Sequence, residues 1–117
     1  MLRHLVLIQD YRLLQRVRGF LSDTYGSTGR EFPADIIEAQ SLLITNGGTR
    51  FFITDIPTGI TADKHLEEIV LQTHGDFKII VICDSQRGIR LSAGNHELTV
   101  VPSNRLDIYL KRELDSR

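Results

Sequence analysis

The sequence has few cysteines and no surplus of charge. Its single cysteine, Cys83, excludes an intramolecular disulfide and a zinc site built from several thiolates, because both need more than one sulfur. With 14 basic against 15 acidic residues the net charge is -1, so no overall positive field attracts the chain to nucleic acid or to an anionic membrane. We therefore expect a protein of a reducing, cytoplasmic compartment that binds no DNA.

Long apolar runs are missing as well. The longest, residues 5–8 and 79–83, are far shorter than the roughly 20 residues needed to cross a bilayer, and the N-terminus has no long apolar segment of the signal-peptide kind. A length of 117 residues and an apolar fraction of 41% are usual for one globular domain with one core. The sequence thus predicts a single domain over residues 1–117 that does not insert into a membrane.

Apolar residues follow two different periodicities along the chain. Apolar runs without helical spacing are typical of buried strands in a parallel sheet, and mainly apolar runs of this kind occur at residues 5–8, 51–54, 77–83 and 98–101. Apolar stripes with helical spacing are typical of amphipathic helices, and they occur at residues 11–21, 62–73 and 106–114. Repeated βα units predict a parallel sheet with helices covering its faces.

Three segments carry weaker signals. Residues 24–33 contain glycines and a proline, and we expect a loop there. Residues 35–39 fit either a short strand or the start of a helix, because so few residues show no clear period. We favour the strand. Residues 86–96 contain glycines and few apolar positions, so we expect a loop in place of a long amphipathic helix.

Polar side chains follow the apolar runs. Asp10, Asp55 and Asp84 each lie at the end of a predicted strand, and Ser85 comes next to Asp84. In a parallel α/β sheet the functional crevice lies outside the carboxyl ends of the strands, at the point where the strand order reverses. The sequence therefore predicts a site at this edge of the sheet.

The segments 5–11 and 51–57, with a predicted helix between them, resemble the receiver domain of two-component response regulators. The resemblance covers nearly the whole chain and implies a three-layer, flavodoxin-like α/β fold with a five-stranded parallel sheet. In that family the first strand ends in an acidic pair that holds a divalent cation, and the third ends in the aspartate that accepts a phosphoryl group. The fourth strand ends in Ser or Thr, and the fifth ends in Lys followed by Pro.

The match to the family is partial at these positions. The resemblance places Asp55 at the phosphoacceptor position and Asp10 at one of the two acidic positions, which implies a weak Mg²⁺ site at these two residues. Gln9 replaces the other acid, so one hard anionic ligand is lost. Val101 replaces the Lys, the fixed cation that pairs with an aspartyl phosphate. The other positions of this altered pocket are Cys83, where Ser or Thr is usual, Asp84 and Ser85.

These departures and the shortened or missing fourth helix favour a pseudo-receiver, a regulatory domain without catalytic activity. Receiver-like domains with a loop in place of that helix occur in some hybrid histidine kinases, so the implied partners are neighbouring kinase or receiver domains. Two alternatives stay open. One is a working receiver phosphorylated on Asp55, and the other is a homodimerisation or scaffold module.

A local positive patch lies near the fifth predicted strand. Between residues 85 and 106 the only acid is Glu97, and arginine offers planar, paired donors to phosphate. Some pseudo-receivers that this chain resembles bind cyclic di-GMP along the fourth strand, the fifth strand and the last helix. The other interpretation is an ordinary solvated surface. The expected ligand or partner face consists of Arg87, Arg90, Val100, Pro102, Asn104 and Arg105.

Simple structural roles also account for several of these residues. Asp10 fits the N-cap of the first helix, Asp55 fits the turn before Pro57, and Cys83 fits a small buried hydrophobe. The four histidines share no spacing. We therefore expect no metal cluster and no Cys–His nucleophile.

Overall fold

The computed structural model describes residues 3–26, 28–45, 49–55, 77–83 and 98–115. The helix expected over 62–73 and the loop expected over 86–96 lie outside these ranges. No helix within them is long and apolar enough to span a bilayer. The elements in chain order are β1 (His4–Leu7), α1 (Tyr11–Tyr25), β2 (Arg30–Glu31), α2 (Ile36–Thr45), β3 (Phe51–Asp55), β4 (Lys78–Cys83), β5 (Leu98–Pro102), a 3-10 turn (Ser103–Arg105) and α3 (Leu106–Asp115).

The five strands pair in parallel in the order β2-β1-β3-β4-β5, which confirms the α/β class and the five-stranded parallel sheet. The chain leaves β1 for β2 on one side and then returns to β3 on the other. The strand order therefore reverses between β1 and β3. Across the sheet, Asp55 lies opposite Ile82, and Ile82 lies opposite Val101.

The amphipathic pattern correctly predicts α1. The carboxylate of Asp10 accepts a hydrogen bond from the backbone N–H of Leu13 at 3.1 Å, so Asp10 is the N-cap of the helix, as expected. Val17 and Leu21 form the buried part of its stripe. The helix ends at Gly26, whose φ of 83° is a conformation that glycine adopts without strain.

The face of the sheet beneath α1 and α3 carries the larger apolar cluster. The hydroxyl of Tyr25 at the end of α1 donates to the carboxylate of Asp115 at the end of α3, over 2.7 Å. The two helices are thereby linked to each other as well as to the strands. The buried members of this cluster are Val6, Ile8, Val17, Leu21, Phe51, Ile53, Ile80, Ile82, Val101, Leu106, Leu110 and Leu114.

The opposite face packs against α2. Ala39 and Leu43 are the buried residues that the helix contributes, one turn apart. Strand side chains that alternate with those of the first cluster meet them, because successive residues of a strand point to opposite faces. The other buried members of this second cluster are Leu5, Leu7, Phe52, Phe77, Ile79 and Val81.

The strand expected over residues 35–39 is wrong, because this segment begins a helix. The carboxylate of Asp35 accepts from the backbone N–H of Glu38 at 2.8 Å, and the carboxylate of Glu38 accepts from the N–H of Ala34 at 3.0 Å. Such a reciprocal arrangement is a variant of the capping box that starts helices. The local hydrogen bonds decide the conformation that the short apolar run left open.

The second strand comes from the segment that was expected to be only a loop. β2 has two residues, which pair with His4 and Leu5 of β1. Backbone N–H groups of Arg3 and His4 also donate to the carbonyl of Gly29, at 2.7 and 3.0 Å. A strand of two residues shows no periodicity of its own, so β1 determines its position.

A buried histidine lies at the amino end of β1. His4 is 1% exposed, and its ring lies 5.6 Å from that of Tyr25 and 5.9 Å from that of Phe51, measured between centroids. Burial, followed by the positive charges of Arg30 and Arg3, lowers the pKa of His4 from 6.5 to about 4. The folded chain therefore keeps this imidazole neutral at pH values where the unfolded chain protonates it.

We expect the free energy of unfolding to decrease as the pH is lowered from 6.5 to about 4, because only the unfolded chain binds a proton at His4 in that window. The loss is at most about 3 kcal/mol. Urea denaturation of the wild type and of His4→Phe, in a buffer without phosphate, measures it. A variant whose stability has the same dependence on pH as the wild type would contradict this assignment.

Candidate functional site

The carboxyl ends of β1 and β3 meet at the point where the strand order reverses, and Asp55 lies there. Its side chain is 6% exposed. One carboxylate oxygen, Oδ1, accepts from the backbone N–H of Gln9 at 3.0 Å, and the other, Oδ2, accepts from the N–H of Asp10 at 3.1 Å. The carboxylate thus joins the end of β3 to the turn between β1 and α1, across 45 residues of sequence.

This arrangement gives Asp55 a structural role and leaves it a chemical one. Hydrogen bonds from two backbone amides to a carboxylate are charge-assisted and hold the group in one orientation. Each carboxylate oxygen has a further lone pair, so it retains the capacity to bind a cation or to act as a nucleophile. Phosphoryl transfer to such a group needs cations that neutralise the phosphoryl oxygens. The chemistry that Asp55 can perform therefore depends on the charged groups around it.

The acidic neighbour of Asp55 is Asp10, which is the N-cap of α1. Its Oδ1 accepts the N–H of Leu13, and its side chain is otherwise exposed. Gln9 is exposed as well. Among the described residues at the strand ends, the carboxylates are those of Asp10 and Asp55, and no described group of three or more His, Cys, Asp or Glu side chains could hold a metal ion. Any Mg²⁺ at Asp10 and Asp55 would depend mainly on water and on the incoming phosphate for its other ligands.

The position at which the resemblance predicts a lysine holds a buried apolar side chain. Val101 is 0% exposed and belongs to the cluster beneath α1 and α3. It lies two strands from Asp55 in the same row, with Ile82 between them. Cys83, the position of the expected hydroxyl, is half-buried at the end of β4, opposite Pro102.

A cation that sequence reasoning missed lies on α1. The guanidinium of Arg16 donates through Nη2 to the carbonyl oxygen of Ser103 at 2.8 Å, which joins α1 to the turn after β5. The Arg16 side chain lies on the exposed side of α1. Nothing in the sequence indicates its partner, because 87 residues separate the two.

The expected ligand or partner face is described only in part. Val100 and Pro102 are half-buried on β5, whereas Asn104 and Arg105 are exposed in the turn that follows. The structure therefore presents one of the three arginines of the expected positive patch. The other residues of that face and of the pocket lie outside the described residues: Asp84, Ser85, Arg87 and Arg90.

Comparisons with known proteins do not assign this chain to a family. It matches no family model, and no curated protein and no solved structure is significantly similar to it. The case for a function therefore depends on the site geometry and on the resemblance of the strand-end residues.

We expect Asp55→Ala to lower the free energy of unfolding by about 2 kcal/mol, because the N–H groups of Gln9 and Asp10 lose their acceptor. Asp10→Ala removes only the helix cap and should lower it by about 1 kcal/mol. Gln9→Ala is the control, since it keeps the backbone N–H and changes only an exposed side chain. Urea denaturation at neutral pH compares them. An Asp55→Ala variant as stable as Gln9→Ala would show that the carboxylate does not hold this turn.

Proposed function

We propose that this chain is a pseudo-receiver: a regulatory, non-catalytic domain of a phosphorelay protein of the hybrid histidine kinase type. It acts by docking against neighbouring kinase or receiver domains. The observation that carries the proposal is the combination of Asp55, in place at the carboxyl end of β3, with Val101, buried where receivers have their lysine.

The architecture supports the receiver part of this proposal. The strand order β2-β1-β3-β4-β5 is that of flavodoxin-like folds, which include receivers, and such folds bind their ligands at the reversal between β1 and β3. Asp55 and Asp10 both lie at that reversal. Fold alone does not establish function, because one fold carries many activities. The identity of the residues at the strand ends is therefore the stronger argument.

The neighbours of Asp55 support the loss of phosphoryl chemistry. An aspartyl phosphate carries more negative charge than the free carboxylate, and receivers compensate it with a metal ion and a lysine. In this chain Gln9 is uncharged and Val101 is apolar. The two backbone amides on Asp55 stabilise a single carboxylate, so the pocket suits the unmodified aspartate.

Regulation by docking requires a surface, and β5 with the turn after it is the proposed one. Val100 is half-buried on β5, and Asn104 and Arg105 are exposed in the turn after it, so apolar, amide and cationic groups are available there. Cyclic di-GMP is the proposed small-molecule ligand of the same face, since its phosphates pair with arginine and its bases stack on flat groups. Homodimerisation is the third use that such a face allows.

A phosphorylation assay separates a pseudo-receiver from a working receiver. The 117-residue chain is incubated with Mg²⁺ and either acetyl phosphate or beryllofluoride and followed by intact mass and by amide NMR spectra. We expect no gain of a phosphoryl group and no change across the domain, because valine stands at position 101, where receivers have the lysine that neutralises the added charge. A mass gain or domain-wide shift that Asp55→Asn abolishes would overturn the proposal in favour of a working receiver.

A restoration experiment tests whether the pocket descends from a receiver pocket. The double substitution Gln9→Asp and Val101→Lys returns an acid and a cation to two of the altered positions, so we expect it to accept a phosphoryl group from acetyl phosphate on Asp55. Asp55→Asn in the same background is the control. Because the lysine replaces a fully buried valine, circular dichroism is used to check that the double variant folds.

A folded double variant that takes up no phosphoryl group would count against the receiver assignment. If lysine at position 101 unfolds the chain, Gln9→Asp alone decides the question, since that side chain is exposed. It should strengthen Mg²⁺ binding, observed as saturable NMR shifts at Gln9, Asp10 and Asp55. An unchanged Mg²⁺ affinity would then contradict the assignment.

A further inference from the structure

A second candidate site lies at the amino edge of the sheet, opposite the edge that carries Asp55. A cleft of about 460 Å³ opens there, and three arginines line it: Arg3, Arg30 and Arg50. Arg3 directly precedes β1, Arg30 begins β2 and Arg50 directly precedes β3. The three strands are parallel neighbours, so their amino ends bring the three guanidinium groups to one place.

The arginines of this cleft have no acidic partners in the part of the chain that the structure describes. The ion pair found there joins Lys78 to Glu113, which neutralises a different cation at the same edge of the sheet. Tyr25, which lines the cleft, donates its hydroxyl hydrogen bond to the carboxylate of Asp115. The cleft therefore has a positive charge that the described residues do not balance.

Two of the arginines are already held in position. The guanidinium of Arg30 donates to the carbonyl oxygens of Gly26 and Leu21, at the end of α1. The guanidinium of Arg3 lies over the ring of Tyr25, 5.6 Å from its centroid. The Nε atoms of both arginines are buried and have no hydrogen-bond partner among the described residues. Because these groups are ordered before binding, a ligand has less entropy to remove.

The buried His4 is an independent sign of a ligand. It lines the cleft, is 1% exposed, and neither of its ring nitrogens has a partner among the described residues. Buried polar atoms in folded proteins nearly always form hydrogen bonds, so such unsatisfied groups need an explanation. A neutral imidazole presents one N–H donor. An anion in the cleft would accept from that donor and from the arginines together.

We propose that this cleft binds a small phosphate-bearing molecule. A phosphate group carries about -1.5 to -2 charges and three acceptor oxygens, which suits several cations better than a single carboxylate does. The planar donors of arginine match phosphate oxygens in pairs. Ligand pockets commonly measure about 300–1,000 Å³, so the cleft has room for an organic group beyond the phosphate. The site is separate from Asp55 and does not depend on the proposed regulatory role.

Titration of the 117-residue chain with pyrophosphate, inorganic phosphate and phenyl phosphate tests this proposal, by calorimetry and amide NMR. We expect saturable binding of one molecule, with the largest NMR shifts at Gly29, Arg30 and Arg50. Phenyl phosphate should bind more tightly than inorganic phosphate, because the cleft also contains the rings of His4 and Tyr25.

Arg50→Ala is the decisive variant, since Arg50 is exposed and its loss should leave the fold intact. It should weaken pyrophosphate binding about tenfold, the usual effect of removing one strong charge-assisted contact. Arg50→Lys keeps the charge but loses the paired donors. Its affinity for pyrophosphate should lie between those of the wild type and Arg50→Ala. The matched control is Arg12→Ala, which removes an exposed arginine at the other end of α1, and it should change the affinity less than twofold.

Three results would overturn the proposal. One is the absence of saturable binding of any of the three phosphates. Another is equal weakening by Arg12→Ala and Arg50→Ala, which would reflect overall charge alone. The third is a titration in which the largest NMR shifts fall at Gln9, Asp10 and Asp55, which would place the phosphate at the opposite edge of the sheet.

Discussion

The structure depends on the need to cover both faces of a parallel sheet. β3 and β4 are buried along nearly their whole length, so each alternate side chain must meet a helix on one face or the other. Phe51 and Ile53 face α1 and α3, and Phe52 faces the side of α2. Asp55 continues the row of Phe51 and Ile53 to the edge of the sheet. Its carboxylate thus emerges where the apolar cluster ends and where backbone amides are available.

Helix α1 links the chemistry of the two edges of the sheet. Its start lies at the carboxyl edge, where Asp10 accepts the N–H of Leu13. Its end lies at the amino edge, where Arg30 donates to the carbonyl oxygens of Leu21 and Gly26. An acid at the start and a cation at the end both interact favourably with the helix dipole. The net charge of the chain is -1, but acids at the carboxyl edge and cations at the amino edge of the sheet are separated from each other.

In the proposed pseudo-receiver, apolar packing replaces a charge at the end of β5. With valine at position 101, the end of β5 joins the apolar cluster and needs no counter-charge from Asp55. Asp55 in turn obtains its hydrogen bonds from the β1–α1 turn, and Arg16 of α1 holds the turn after β5. These contacts fix the strand ends in a single arrangement. The proposed role, regulation by docking, would benefit from such rigidity.

Much of the fold follows from the sequence by itself, because burial on two faces imposes its own pattern. Continuous apolar runs predicted β1, β3, β4 and β5, and stripes at helical spacing predicted α1 and α3. Residues 35–39 fit a strand or a helix by their apolar pattern, and the capping hydrogen bonds of Asp35 and Glu38 decide for α2. β2 carries no signal, because a two-residue strand is defined only by its pairing with β1.

For the candidate sites, too, some features follow from the sequence and others only from the tertiary structure. Sequence position alone placed Asp10 and Asp55 at strand ends, since the ends of buried runs are visible in the sequence. Tertiary structure decided which atoms they meet: the amides of Gln9 and Asp10 on Asp55, and the carbonyl oxygen of Ser103 on Arg16. It alone brought Arg3, Arg30 and Arg50 around His4, because residues so far apart in the sequence become neighbours only when parallel strands align their amino ends.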